Sequence, residues 1–338
     1  MSFITNIRSV AKYESKILVR SWFFRIFTLL AVVFLGFFNF AMMLMEDNFG
    51  LWFAKSVSSN IPYLNLLLLN TGQAVVAVFL SSEFLKRDKK LDTSEVFYVR
   101  PLSNAEYVIG KIWGNLRVFL LLNLLVLAIV LAFNFMASGI TVDWQAYGVY
   151  FLLISLPTLI FIIGLSIFLM LVLRNQALTF ILLLGYIGLT LFYIQDKFYY
   201  LFDYMVYNLP LFKSTIVGFS SLELILNHRA IYFFAGLGFI FFTIFLFKRL
   251  PNARRSHYPW LFLSLCMFLL AGTAGYRHVR SILREGEIRG LYTSINNKYV
   301  HEPKMAIDWY DISVEQKPET IRSVVGMKGT ALATSEIF

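Results

Sequence analysis

The sequence predicts an all-α polytopic membrane protein: an amphipathic amino-terminal helix, a six-span core, a seventh span and a short β-rich tail. Three observations predict it. The 338 residues are 58% apolar and only 15% charged, whereas a water-soluble domain carries about a quarter of charged residues. Seven stretches approach the roughly 20 apolar residues that cross about 30 Å of hydrocarbon. The Lys and Arg behind the net charge of +10 gather at the ends of those stretches. There they anchor to anionic headgroups of the lipid bilayer and set topology, so the basic balance does not imply nucleic acid.

Residues 1–21 place Ile4, Ile7, Val10, Ile17 and Leu18 near one helical face, with Arg8, Lys12, Lys16 and Arg20 elsewhere. This is a basic amphipathic helix suited to the membrane interface. The apolar run after it outlasts the h-region of a signal peptide, so the first span, 22–45, is expected to stay in the mature protein. Arg25 is close enough to its end to snorkel. Span two, 64–85, leads into a polar island from Ser82 to Gly114, where Lys86, Arg87, Lys89, Lys90 and Arg100 crowd together. Short loops so rich in cations stay in the cytoplasm, which puts this loop and the amino terminus inside.

Span three, 112–137, is followed by a loop, 138–148, without a cation, as an outer loop requires. Span four, 149–173, turns at Arg174-Asn175-Gln176 into span five, 177–194. Residues 195–228 carry Phe198, Tyr199, Tyr200, Phe202, Tyr204 and Tyr207. Because Tyr prefers the headgroup level, re-entrant or interfacial helices are expected there. Span six, 230–247, meets Lys248, Arg249, Arg254 and Arg255, and the core thus occupies 22–250.

A seventh span at 260–276 places the remainder outside. Arg277, Arg280 and Arg284 oppose that direction, while Arg254 and Arg255 compete at the other end. In the tail, 281–338, Ile307, Trp309, Tyr310, Ile312 and Val314 alternate with polar residues as in a half-buried strand. Gln316–Glu319 reads as a turn before a second strand, Ile321–Met327. Two strands are marginal alone, so either a partner completes the sheet or the tail begins something longer.

Within the polar island, Asp92 and Glu95 have the spacing of a capping box, which starts a short helix at Thr93. It ends by Arg100, because a residue before proline is pushed out of helical geometry. Val96, Phe97 and Val99 form its apolar face. Ser103 and Glu106 repeat the spacing and start a second helix at Asn104 that runs through Gly110-Lys111 into span three. From the residues alone this is either a basic loop that happens to fold or a docking element.

The order of a charged cluster, Thr93-x-Glu95, the pair Val96-Phe97, Pro101, Ser103-x-x-Glu106 and Gly110-Lys111 resembles the loop between spans two and three of type-2 ABC exporter permeases. Asp92 stands where that family usually has Gly, and Val96-Phe97 where Leu-Leu is commoner. The resemblance implies a coupling loop at 86–111. Its partner-binding residues would be Asp92, Thr93, Glu95, Val96, Phe97, Tyr98, Pro101, Ser103 and Glu106, docking a separate ATP-binding cassette subunit that holds ATP and Mg. It also implies an elbow helix at 1–21, short re-entrant helices between the last two core spans, and a dimer with a second permease copy or homologue. The membrane would be the bacterial cytoplasmic (inner) membrane, with the tail extracytoplasmic. Some members continue into an extracytoplasmic domain resembling zinc aminopeptidases, an arrangement that the tail would begin.

Enzymatic motifs are missing from the sequence. Gly110-Lys111 is followed by Ile112 and preceded five residues back by Ala105, so it is no Walker A loop. His301-Glu302 opens like a zinc motif, yet Met305 replaces the second His and Pro303 opposes the helix. Cys266 is the single cysteine, and His228, His257, His278 and His301 are too widely spaced for a metal site. The chain is therefore expected to be no enzyme and to hold no cofactor or metal. The spans are read as free of ionisable residues apart from Arg117, which argues against a proton- or sodium-driven carrier. Asn70, Thr71, Gln73, Asn123, Tyr186 and Thr190 are polar residues inside spans. Either they hydrogen-bond neighbouring helices, or Asn70, Gln73, Tyr186 and Thr190 line a substrate path, as the resemblance implies for spans two and five. The apolar, aromatic spans point to a lipidic or amphipathic cargo. The alternative function is a membrane anchor or scaffold for an extracytoplasmic domain or partner.

Overall fold

The computed structural model describes residues 3–44, 58–82, 102–136, 141–194, 196–209, 211–214, 218–219, 221–247, 258–301, 305–316 and 320–331. Seven of its helices are long and apolar enough to cross a membrane, and the chain is a helical membrane protein. It divides into two units, Met1–Ser214 with Phe219–His278, and Thr215–Gly218 with Val279–Phe338.

In the first unit, α1 (Phe3–Arg20) is separated from α2 (Trp22–Leu44) by Ser21 alone. Arg25 does not simply snorkel: its Nε donates to the Val19 carbonyl at 3.0 Å, capping the end of α1. Helix α3 (Asn60–Ser82) starts four residues ahead of the predicted span and takes Pro62 into its first turn, where a missing N–H costs nothing. Asn39 of α2 and Asn65 of α3 exchange amide hydrogen bonds at 2.7 and 3.0 Å. Helix α4 (Asn104–Met136) begins where the second capping box predicts. The Ser103 N–H donates to Glu106 Oε2 at 2.6 Å, and the Glu106 N–H to Ser103 Oγ at 3.2 Å.

Helix α5 (Trp144–Tyr150) passes through a π turn (Phe151–Ser155) into α6 (Leu156–Leu173). Arg174 in left-handed geometry ends α6, and the Asn175 side chain accepts from the Leu178 N–H to start α7 (Gln176–Leu189). A second π turn, Thr190–Ile194, completes that span. Helix α8 (Leu222–Leu246) crosses α6 closely: a Cβ on Gly236 would lie 2.7 Å from the Phe161 nitrogen, and one on Gly164 2.6 Å from the Gly236 oxygen.

Two expectations are corrected here. Among the described residues, the stretch between α7 and α8 does not form the expected re-entrant or interfacial helices. Between 196 and 214 the described residues form turns and one two-residue extended piece, Lys213–Ser214, with Phe198, Tyr199 and Tyr200 all at positive φ, and α8 begins at Leu222, eight residues ahead of the predicted span six. Tertiary hydrogen bonds to the carbonyls of this stretch replace those a helix would have made. The seventh helix, α9 (Tyr258–Tyr299), does not stop at 276. Its 42 residues are about twice the roughly 20 that cross a bilayer, so part of it lies beyond the hydrocarbon. Residues 281–299, read as the start of a β-rich tail, are helical, with Ile288, Leu291 and Ile295 at helical spacing.

In the second unit, β1 (Met305–Gln316) and β2 (Ile321–Ala331) pair antiparallel as the alternation predicts. A bulge between Ile307 and Trp309 shifts the register. It brings Ile307 onto the face of Tyr310, Ile312, Val314, Ile321, Val325 and Met327, each between 45% and 63% exposed. The opposite face carries Asp311, Ser313, Glu315, Arg322 and Lys328 together with Trp309 and Val324.

Candidate functional site

Helix α1 lies along the first turns of α4, and its buried side is polar. Asn6 Nδ2 donates to Glu106 Oε1 at 2.8 Å, so one carboxylate serves both the α4 cap and α1. Lys111 Nζ stands 3.2 Å from Glu14 Oε1, with side-chain exposures of 1% and 4%. Ser15 Oγ donates to the Gly114 carbonyl at 2.7 Å, and Arg117 donates to Ser15 Oγ (2.5 Å) and the Ala11 carbonyl (3.2 Å). Gly114 permits this approach, since a Cβ there would meet the Ala11 oxygen at 2.8 Å. Arg117, expected only to snorkel, thus binds α1. At the same end, Asn104 Nδ2 donates to the Phe247 carbonyl at 2.6 Å, and the Tyr107 and Phe247 rings stack 5.5 Å apart. Three helices, α1, α4 and α8, are tied together where the polar island joins span three.

Of the residues assigned to the coupling helix, only Ser103 and Glu106 are described; Asp92, Thr93, Glu95, Val96, Phe97, Tyr98 and Pro101 lie outside the described residues. The candidate path residues separate into two places. Asn70 and Gln73 join Asn123 and Ser155 in one buried network linking α3, α4 and the π turn. Asn70 Nδ2 donates to Asn123 Oδ1 (3.0 Å) and Ser155 Oγ (3.1 Å), Asn123 Nδ2 to Gln73 Oε1 (2.8 Å), and Ser155 Oγ to Asn123 Oδ1 (2.8 Å). Asn70 Oδ1 and Gln73 Nε2 remain buried without a partner among the described residues. Tyr186 instead faces Tyr204 (5.7 Å between ring centroids) and Phe161 (6.1 Å). Thr190 donates back to the Tyr186 and Ile187 carbonyls of its own helix.

A second polar centre surrounds Arg229, which is 2% exposed. Pro157 has no N–H, and the carbonyl it would serve in an α-helix is that of Leu153. Arg229 Nε donates to that carbonyl at 2.6 Å, and Nη2 reaches the Ile154 carbonyl at 3.4 Å. Nη2 also donates to Thr158 Oγ1 and Nη1 to the Tyr204 carbonyl, both at 2.8 Å. One guanidinium therefore satisfies the backbone left open by the π turn and holds the 198–208 segment to α6. Asp203, also 2% exposed, accepts from the Tyr207 and Asn208 N–H groups at 2.9 and 2.8 Å. Burial holds its carboxyl above the ordinary carboxylate range, against those bonds and the Arg229 charge. His228, next in sequence to Arg229, and His278 are both 0% exposed, with ring centroids 5.1 Å apart. Among the described residues no three His, Cys, Asp or Glu side chains converge as a metal site would require.

No known protein family matches the chain, and no curated protein or solved structure is similar to it.

Sequence reasoning missed Asp203, His228 and Arg229, because 195–228 was read as an outer segment and Arg117 as the single ionisable residue inside a span. The signal was present: Pro157 inside an apolar run removes one N–H from the helix ladder, and Asn227-His228-Arg229 lies between Leu224-Ile225-Leu226 and Ala230-Ile231.

Proposed function

We propose that the chain is the membrane-spanning permease subunit of an ATP-driven exporter of the type-2 ABC class. It would act as a dimer with a second copy or homologue in the bacterial inner membrane, amino terminus cytoplasmic and tail extracytoplasmic. A separate ATP-binding cassette subunit would bind the island at Phe97 and Tyr98, and a lipidic or amphipathic substrate would be moved. The observation that carries this reading is the clamp of α1 on the first turns of α4, through Asn6–Glu106, Glu14–Lys111 and Arg117–Ser15. A push delivered to the island reaches α4 at Ser103, and buried polar contacts oblige α1 and α4 to move as one body. Such a switch does work only if nucleotide binds its two states differently. The test is Phe97→Asp, with ATPase activity measured in the reconstituted complex. The variant is expected to insert but to lose substrate stimulation, and normal stimulation refutes the coupling role.

A second reading, an anchor for an extracytoplasmic partner, is favoured by the uncharged, exposed face of the β1–β2 hairpin. It predicts that scrambling 86–100 leaves function intact while Ile312→Asp abolishes it.

A further inference from the structure

Three successive carbonyls of the 198–208 segment face side chains of α8 and α9. The Tyr199 oxygen is 2.9 Å from His278 Nε2, the Tyr200 oxygen is 3.0 Å from His228 Nε2, and the Leu201 oxygen accepts from the Tyr232 hydroxyl. Phe198, Tyr199 and Tyr200 have φ of 52°, 59° and 63°, and buried Val206 has 66°. L-residues avoid this region, and a β-branched one most of all, so the segment keeps its shape because those donors hold it.

The two imidazoles differ in one respect. His278 faces a carbonyl at each nitrogen, with the Leu224 oxygen 3.4 Å from Nδ1. His228 Nδ1 is buried and has no partner among the described residues. A proton placed there would create a buried donor with no acceptor and a cation next in sequence to Arg229, 5.1 Å from the second imidazole. Water relieves both penalties, and water reaches Nδ1 only when the segment leaves.

We propose that His228 is a proton-operated latch: neutral, it holds residues 198–208 against α8 and α9; protonated, it releases them. The sign follows from linkage. The closed form disfavours the proton and the open form accepts it, so falling pH shifts the population toward the open form. The groups facing His228 are Arg229 and Tyr232 on α8, His278 on α9, and the Tyr200 carbonyl on the segment. Arg229 and His278 oppose the added charge, and the Asp203 carboxyl is engaged by the Tyr207 and Asn208 N–H groups. Glu223 and Arg277, 3.5 Å apart, are exposed and occupied with each other.

The test is hydrogen–deuterium exchange of the 201–209 amides in the full chain, reconstituted in lipid nanodiscs at about pH 8 and about pH 5.5, where an imidazole changes charge, and corrected for intrinsic rates. One linked proton changes the opening constant by up to about tenfold per pH unit. For an open-form imidazole at the ordinary value of about 6.5, wild-type exchange is expected to rise by up to about tenfold between the two pH values. His228→Gln, whose amide still donates to Tyr200, abolishes the rise, and His278→Gln keeps it. Wild-type protection that does not change with pH overturns the latch whether or not either variant inserts. A rise that survives His228→Gln also overturns it, because another group then carries the proton; Asp203 is not that group, since its buried carboxyl favours the closed form at low pH.

Discussion

Replacing Arg229 by Met keeps the length and apolar volume of the side chain and deletes its donors. The bonds to the Leu153 carbonyl (2.6 Å), the Tyr204 carbonyl and Thr158 Oγ1 (2.8 Å each) disappear. The Tyr204 carbonyl retains the Thr158 hydroxyl at 3.2 Å, so its loss is partial. The Leu153 carbonyl cannot fall back on the N–H four residues on, because Pro157 has none. A buried acceptor left open costs about 1–3 kcal/mol, and a hydrogen bond from a charged donor contributes about 1.5–3 kcal/mol. Removing a buried cation returns part of that through its lost desolvation penalty, leaving a net destabilisation of about 2–4 kcal/mol. Adding Pro157→Ala supplies an N–H for the Leu153 carbonyl. Thermal unfolding in one fixed detergent, read as a double-mutant cycle, is then expected to give a combined loss smaller than the sum of the single losses by about 1 kcal/mol. Strict additivity, or an Arg229→Met variant within about 0.5 kcal/mol of wild type, refutes the claim that Arg229 serves the backbone opened by Pro157.

Three other outcomes are expected. Asn123→Leu breaks the bonds to Asn70, Gln73 and Ser155 together and lowers stability by about 1–3 kcal/mol in the same assay. Gly236→Ala drives a Cβ into the Phe161 backbone and costs about 1–3 kcal/mol, seen as a lower midpoint with span insertion unchanged. Asp203 has its folded-state carboxyl raised by burial, so its contribution is present at pH below the ordinary carboxylate value and is lost as pH rises through the elevated one. Asp203→Asn removes that downward slope from a plot of midpoint against pH, and an unchanged slope rejects the assignment.

Much of the helical scaffold was legible because hydropathy and capping are local properties. The Ser103–Glu106 box set the start of α4, Arg174-Asn175 the turn into α7, and strand alternation the hairpin, with the bulge at Asp308 hidden. The buried polar contacts were less legible. Glu14 meets Lys111 and Asn70 meets Asn123 only because of how the helices cross, and no spacing in the sequence encodes a partner 97 or 53 residues away. The 198–208 segment failed for the opposite reason: its aromatic composition favours an interfacial helix, but donors on α8 and α9 take its carbonyls first. Asn227, His228 and Arg229 lower the hydropathy of a span whose interior they nevertheless occupy, so α8 was read eight residues short.

The exporter reading is tested most directly by purifying the tagged chain from native membranes in mild detergent, identifying the proteins that co-elute and assaying ATPase activity. The expected result is a stoichiometric ATP-binding subunit that is lost when Phe97 and Tyr98 are changed to Asp. A clean preparation with neither partner nor ATPase activity contradicts it.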